Sequence, residues 1–328
     1  MPSALTICLL AVLPAAAHAQ IAAFEPAGDL AAQTLAITNV LFIGGGVIFA
    51  AVMLVLGAAM LGPARLRAAL SHRRWLVGAG VVFPVVVLSA LLVYTFSAAS
   101  AMVTGQQAPA AARIEVAAEL WWWRVRYLDE RGNALFETAN EIRIPAGEPV
   151  QLDLISPNVI HSFWVPALAG KIDMIPGRVN RMRLRATAPG TYRGQCAEYC
   201  GGQHAKMAFH VVALARDDYA GWIAQRRGAT AGAGERPGAP GRDLFSRNGC
   251  GLCHAVRGTE AAGTIGPDLT DVGSREWLAA GTLPNTRANM ARWISDSQAL
   301  KPGSRMPAYR QFSTEELAAL ADYLGSLR

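Results

Sequence analysis

Cys196-Ala197-Glu198-Tyr199-Cys200-Gly201-Gly202-Gln203-His204-Ala205-Lys206-Met207 puts two thiols, an imidazole and a thioether within one short turn. That donor set matches copper, which takes soft sulfur together with nitrogen, and Gly201-Gly202 lets the chain fold back around a metal. Zinc has little use for the thioether. Three residues separate the two cysteines, which is compatible with a disulfide and also with two sulfurs bridging two metal ions. The turn lies among short alternating runs at 121–127, 141–144, 150–155, 181–186 and 206–213. Between them come Arg131-Gly132-Asn133, Pro145-Ala146-Gly147, Pro176-Gly177 and Pro189-Gly190. Period-two runs at that spacing predict an all-β sandwich or barrel with slight helical content.

Working outward, a second imidazole for the metal must come from His161, His210 or His254. His161 stands at a strand end in the segment 158–166; His210 follows Phe209 on the strand after the cysteine turn and reads as structural. Upstream, apolar stretches at 38–61 and 75–98 are each long enough to cross a hydrocarbon core of about 30 Å as helices. Between them, 62–74 carries Arg65, Arg67, Arg73 and Arg74, while 21–35 has no Lys or Arg. By the positive-inside rule that loop is cytoplasmic and everything after about residue 100 is outside. Gly44-Gly45-Gly46 predicts close approach of a neighbouring helix, and Pro84 a bend in the second span. Residues 1–20 read as a signal peptide, with Ala17-His18-Ala19 suited to signal peptidase.

The composition fits this division. Across 328 residues, 52% are hydrophobic and only 16% charged, an excess of apolar sequence that the two spans absorb. The net charge of +6 comes from scattered arginines and the crowded loop, which argues against a nucleic-acid partner and for a lipid bilayer. Downstream, 226–241 is dominated by Gly, Ala and Pro and reads as a flexible linker. Then comes Cys250-Gly251-Leu252-Cys253-His254, the covalent haem c attachment motif, with two cysteines for thioethers and His254 as proximal ligand. Ser313 and Glu316 stand in capping-box register ahead of a stripe of Leu317, Leu320, Leu324 and Leu327, which predicts a final helix packed on the one containing Phe245.

The string 194–207, the His161 segment, Lys171 to Arg178 and the Trp121-Trp122-Trp123 cluster together resemble subunit II of cytochrome c oxidase over residues from about 25 to 220. The resemblance implies a two-helix transmembrane hairpin (21–112), then a cupredoxin-like Greek-key β-barrel (113–225). It also implies binuclear copper, with Cys196 and Cys200 as bridging thiolates, His161 and His204 as terminal imidazoles, Met207 as a weak thioether ligand and Glu198 as a carbonyl ligand. In the family the Glu198 side chain helps hold an interfacial magnesium, and Trp121 occupies the position where electrons pass toward copper. Lys301 to Pro307 resembles the distal loop of class I cytochromes c, making Met306 the sixth haem ligand in a small all-α cytochrome c domain (242–328). Met290 is the rival, on a segment that reads as a packing helix.

The whole resembles the fusion seen in caa3-type haem-copper oxidases. Its implied partners are a catalytic subunit I and a subunit III in a bacterial inner (plasma) membrane. The implied donor is an upstream cytochrome c or quinol-cytochrome c reductase, and the implied reaction is dioxygen reduction coupled to proton translocation, with both external domains periplasmic. Quinol-oxidase relatives lack these copper ligands, and a nitrous oxide reductase needs a large further domain. A copper-delivery or disulfide-bearing membrane protein would carry neither haem nor mixed-valence copper. Many relatives carry a Glu near the start of the second span; 71–80 has no carboxylate, so a proton-uptake role is not carried over.

Overall fold

The computed structural model describes residues 22–105, 109–228 and 240–328. The expected signal peptide and most of the expected linker lie outside them. Helix α1 (Asp29–Leu61) and the stretch Arg73–Ser100 are long and apolar enough to cross a membrane. Helix α1 starts at Asp29, well before residue 38, because its first turn is seated on the external domain. Ala27 N donates to Ala167 O at 2.7 Å, Ala31 N donates to Leu168 O at 3.2 Å, and Arg185 pairs with Asp29 at 2.7 Å. Gly28 is required there, since a Cβ would stand 2.5 Å from Leu168 O.

The arginine-bearing loop folds into α2 (Ala64–Leu70) and α3 (Arg73–Val77), followed by a π turn at Gly78–Val82 and then α4 (Phe83–Gly105). The irregularity expected at Pro84 takes that form. Proline has no N–H to give the carbonyl four residues back, and just before it Phe83 N reaches instead to Gly78 O, five residues away. At Gly44, Gly45 and Gly46 the Cβ positions face open space, so α4 is not the helix that approaches them.

Ten strands form the next domain: β1 (Ala112–Ala118), β2 (Trp123–Leu128), β3 (Ala134–Ala139), β4 (Glu141–Pro145), β5 (Val150–Ile155), β6 (His161–Trp164), β7 (Ile172–Met174), β8 (Asn180–Leu184), β9 (Gly190–Cys196) and β10 (Ala208–Leu214). They make two five-stranded sheets, β3-β2-β1-β5-β8 and β4-β10-β9-β6-β7. Strand β1 pairs parallel with β5, and β10 with β4, which a simple meander cannot produce. This is the cupredoxin-like sandwich. Its core is filled from both inner faces, with Trp123 and Phe209 rings 4.7 Å apart and Phe163 and Phe209 4.6 Å apart. Helical content at its end exceeds expectation. Helix α5 (Arg216–Gly228) lays Trp222 against Tyr127, ring centroids 5.1 Å apart. That anchorage carries helix through 226–228, which composition alone assigns to the linker.

The last domain opens with α6 (Pro240–Arg247), again earlier than composition suggests. It continues through the short hairpin β11 (Trp277–Leu278) and β12 (Leu283–Pro284) to α7 (Arg287–Ser295), α8 (Ser297–Leu300) and α9 (Thr314–Ser326). Helix α9 carries the expected capping box, with Glu316 N donating to Ser313 Oγ and Ser313 N to Glu316 Oε2. It crosses α6 closely: a Cβ on Gly241 would lie 2.0 Å from Ala319 O, and Phe245 meets Tyr323 at 5.7 Å.

The two external domains are joined along a polar seam. Asp271 accepts from Thr138 at 3.0 Å and from Arg275 at 2.5 Å, while Arg226 donates to Ser274 Oγ at 2.7 Å. Burial alone would raise the Asp271 carboxyl, but the Arg275 and Arg226 guanidiniums outweigh it and hold the group below its ordinary value. Nearby, Glu141 Oε1 accepts from Glu276 N at 2.5 Å and Trp277 N at 3.3 Å. Ala279 and Ala280 both hold positive φ, 51° and 58°, a conformation costly for a side chain with a Cβ. Their carbonyls point into the seam, where Ala280 O accepts from Ala208 N at 3.1 Å.

Candidate metal and haem sites

Strand β9 ends at Cys196, and the turn after it returns at Met207 into β10. Strand β6 lies beside β9 in a register that pairs Phe163 with Cys196, which brings the ring of His161 over the cysteine. Cys196 and Cys200 are free thiols with sulfurs 3.8 Å apart, far beyond the roughly 2.05 Å of a disulfide. His161 Nδ1 stands 3.7 Å from Cys196 Sγ and His204 Nδ1 3.6 Å from Cys200 Sγ. Met207 Sδ is 3.8 Å from Cys200, and Glu198 O is 3.1 Å from Cys196. Two thiolates at about 2.3 Å from one tetrahedral metal stand about 3.8 Å apart, so this spacing fits shared ligation. One imidazole and one weaker donor stand beside each sulfur, and His161, Cys196 and Cys200 offer ligand atoms all within 4.8 Å of one another.

The surroundings prepare the donors. Asn158 Oδ1 accepts from His161 Nε2 at 3.0 Å, which fixes the tautomer and leaves Nδ1 with a free lone pair. Cys196, which accepts a hydrogen bond from the Cys200 thiol, ionises well below an ordinary thiol despite burial. Cys200 is pushed well up, because its proton is held in the hydrogen bond to Cys196 and because burial and the neighbouring sulfur charge disfavour a second thiolate. These residues fit a copper pair.

Ahead of the haem motif, Gly249 takes a left-handed φ of 71° and starts the tight turn Cys250–Leu252. His254 Nδ1 donates to Pro267 O at 2.8 Å, which orients the ring and leaves Nε2 for a metal. Burial lowers the His254 pKa, keeping it neutral for ligation. Gly266 packs against that ring so closely that a Cβ would lie 2.6 Å from His254 Cε1. Cys250, Cys253 and His254 line one wall of a large cavity, and Met306 stands in it too. The Met306 loop is fixed through its own carbonyl, which accepts from Ser297 Oγ at 2.8 Å and Gln298 Nε2 at 2.7 Å. Met290 also reaches the cavity, but from α7, where it is buried in the apolar core with Ile294 and Leu320. Cysteines, a ring with its outer nitrogen free, and a thioether on a large cavity fit a covalent haem.

Trp121 connects the sites. Lying just before β2 and outside its alternation, it turns toward the seam while Trp123 fills the core. Its Nε1 donates to Cys200 O at 2.8 Å, and the residue also lines the haem-side cavity. Gly201, at φ 109°, is needed on both counts, since a Cβ there would stand 3.2 Å from the indole. Glu198 directs its carboxylate outward, where Lys171 Nζ pairs with it at 3.2 Å and with Asp173 at 2.9 Å. His210 is buried against Trp277, ring centroids 5.0 Å apart, away from the sulfur cluster.

Sequence reasoning passed over Asn158, Ser297, Gln298 and Lys301. Asn158 had a signal, an amide three residues before a candidate ligand. Ser297 and Gln298 act from α8 on the loop that follows it, and Lys301 acts on turns that only the folded chain brings to it.

Residues 113–214 match the family model described as cytochrome C oxidase subunit II, periplasmic domain, and residues 238–328 match that of cytochrome c. Cytochrome c oxidase subunit 2 of Alkalihalophilus pseudofirmus is 43% identical over 215 residues, covering 66% of this chain and 61% of that protein. Its counterpart from Bacillus subtilis is 32% identical over 235 residues, covering 68% and 64%. The chain therefore spans a little over three-fifths of the length of these relatives. The crystal structure of the periplasmic domain of subunit II of cytochrome oxidase of Bradyrhizobium japonicum aligns at 28% identity with a TM-score of 0.34, covering 37% of this chain and 96% of that one.

Proposed function

We propose that this chain, whose residues 113–214 match the cytochrome c oxidase subunit II periplasmic domain and whose residues 238–328 match cytochrome c, is the electron-accepting subunit of a caa3-type oxidase. In this reading Cys250 and Cys253 bind haem c through thioethers, with His254 and Met306 as axial ligands. Cys196 and Cys200 bridge two coppers, His161 and His204 complete them, and Met207 and the Glu198 carbonyl are weak ligands. When bound, these groups supply one-electron redox chemistry whose potential the axial thioethers tune. The observation that carries the reading is the unbridged 3.8 Å sulfur pair, flanked by two imidazoles and joined through Trp121 to the wall of the haem cavity.

The residues have distinct work. Asn158 and Pro267 O each hold one imidazole in the tautomer that ligates. Trp121 bridges the two sites as an electron-relay residue. Glu198 helps hold magnesium at the contact with catalytic subunit I, where dioxygen is reduced to water with proton translocation. A subunit III completes the complex, and an upstream cytochrome c or quinol-cytochrome c reductase supplies electrons. Residues 1–20 are removed on export across the bacterial inner membrane, the two spans remain in it, and both external domains face the periplasm. The residues between α5 and α6 tether the cytochrome, raising its effective concentration to about the millimolar range.

Metal analysis of the purified oxidase, together with haem staining of a denaturing gel, tests this. Two coppers and one gel-stable haem in this chain are expected. Zinc in place of copper, or haem lost on denaturation, overturns the proposal.

A further inference from the structure

The loop bearing Met306 and the turn bearing Cys200 each lend the other a lysine. Lys301 is 3% exposed, and its ammonium crosses the seam to Lys206 O and Trp121 O, both at 2.7 Å, with Ala279 O at 3.2 Å on its own side. Lys206, next to Met207, returns a bond to Leu300 O at 2.6 Å. An ammonium has three protons to donate, and here three carbonyls take them. Burying such a charge is unfavourable unless its donors are satisfied, so its position requires all three carbonyls to converge. They come from three turns: the one before β2, the copper-side turn, and the left-handed turn at Ala279; the last two are also joined by the Ala208 N to Ala280 O bond, and Lys301 ties the turn before β2 to both.

We infer that Lys301 and Lys206 form a reciprocal clasp that holds the loop of Met306 on the turn of Cys200 and Met207, and so sets the spacing of the two sites across Trp121. The inference rests on the proposed reading of those sites as haem and copper centres. Neither lysine touches a reacting atom; both are positioning residues. The Asp271 network still joins the domains without them, so losing the clasp changes spacing rather than attachment.

The test uses the assembled oxidase, with copper and covalent haem assayed first. Lys301→Met keeps the aliphatic stem and deletes the donors; Lys206→Ala removes the exposed return bond. Two measurements follow: amide hydrogen exchange around residues 119–124, 204–208 and 299–304, and the rate of haem-to-copper electron transfer after pulsed reduction of the haem. Lys301→Met is expected to raise exchange in all three segments and slow transfer about tenfold, and Lys206→Ala about threefold, with both absorption spectra unchanged. Unchanged exchange and rate in both variants overturn the clasp while leaving the haem-copper reading standing. A parent protein without two coppers or without gel-stable haem overturns that reading and the clasp with it. If Lys301→Met does not assemble, Lys206→Ala decides by the same two measurements.

Discussion

The copper-side and haem-side domains solve opposite problems. The sandwich buries a continuous core that includes Cys196, Cys200 and Met207, so packing alone sets the donors at their spacing. The haem-side domain gathers a smaller core around a cavity whose walls are His254, Met306 and both motif cysteines. One domain carries its candidate donors inside a continuous core; the other sets them around a cavity. The difference teaches that strand register can place a compact set of donors, whereas donors around a cavity depend on loops held by separate turns.

The sharpest way to break that contrast is to block haem attachment. Cys250→Ser with Cys253→Ser is expected to abolish the slow hydrogen exchange of residues 240–328 while the sandwich amides keep theirs; equal loss in both domains would refute it. Next, Cys200→Ser should remove the copper pair, read by metal analysis, yet shift the thermal unfolding of the sandwich by no more than about 1–2 kcal/mol, because Phe163, Phe209 and Trp123 still fill the core. Gly201→Ala forces a Cβ toward Trp121 at positive φ and should cost about 1–3 kcal/mol. Denaturant melts measure the cost, and lost protection of the Trp121 indole N–H would locate it.

A subtler probe addresses the seam between the domains. Burial raises the Glu141 carboxyl to about 7, against the backbone hydrogen bond from Glu276 and the charges of Arg143 and Arg275, with the Glu276 charge adding to the rise. His210, also at the seam and lowered to about 4 by burial and by Arg193, acts with the opposite sign below about 6.5. For Glu141 the folded state binds more protons than the unfolded one between its ordinary value and about 7. Its contribution is therefore fully present at low pH and lost as pH rises through that window. Glu141→Gln should gain stability relative to the parent from pH 4.5 to about 7, by an amount on the order of 1–3 kcal/mol, and remain level above it. A pH-independent difference in melting would exclude this role. The smallest effect is expected at Ser313→Ala, which deletes the capping box of α9 and should cost about 1 kcal/mol in the haem-side domain alone.

Much of the architecture was legible before folding. Two apolar stretches with arginines between them gave the hairpin, and alternation with Gly and Pro turns gave the sandwich. The capping register of Ser313 and Glu316 gave the last helix. Boundaries failed where contacts across the chain extended an element: α1 begins at Asp29 because it rests on the Leu168 loop, and α5 passes residue 226 because Trp222 is anchored. The candidate ligands were legible because sulfur and imidazole are scarce, and scarcity makes their spacing informative. Asn158, Gln298 and Lys301 were not, because amides and lysines are common on any surface; Asn158 and Gln298 act on near neighbours that many amides could reach, and Lys301 acts through partners distant in the chain.

The sequence by itself determined which chemistry the chain can hold, because ligand type and local spacing are covalent properties of neighbouring residues. Only the tertiary structure decided that Cys196 and Cys200 stand apart rather than bonded, that His161 joins them across β6 and β9, and that the haem cavity opens on Trp121. Those facts depend on register and on one domain seating against another, and both are set by burial summed over many residues that no local motif encodes.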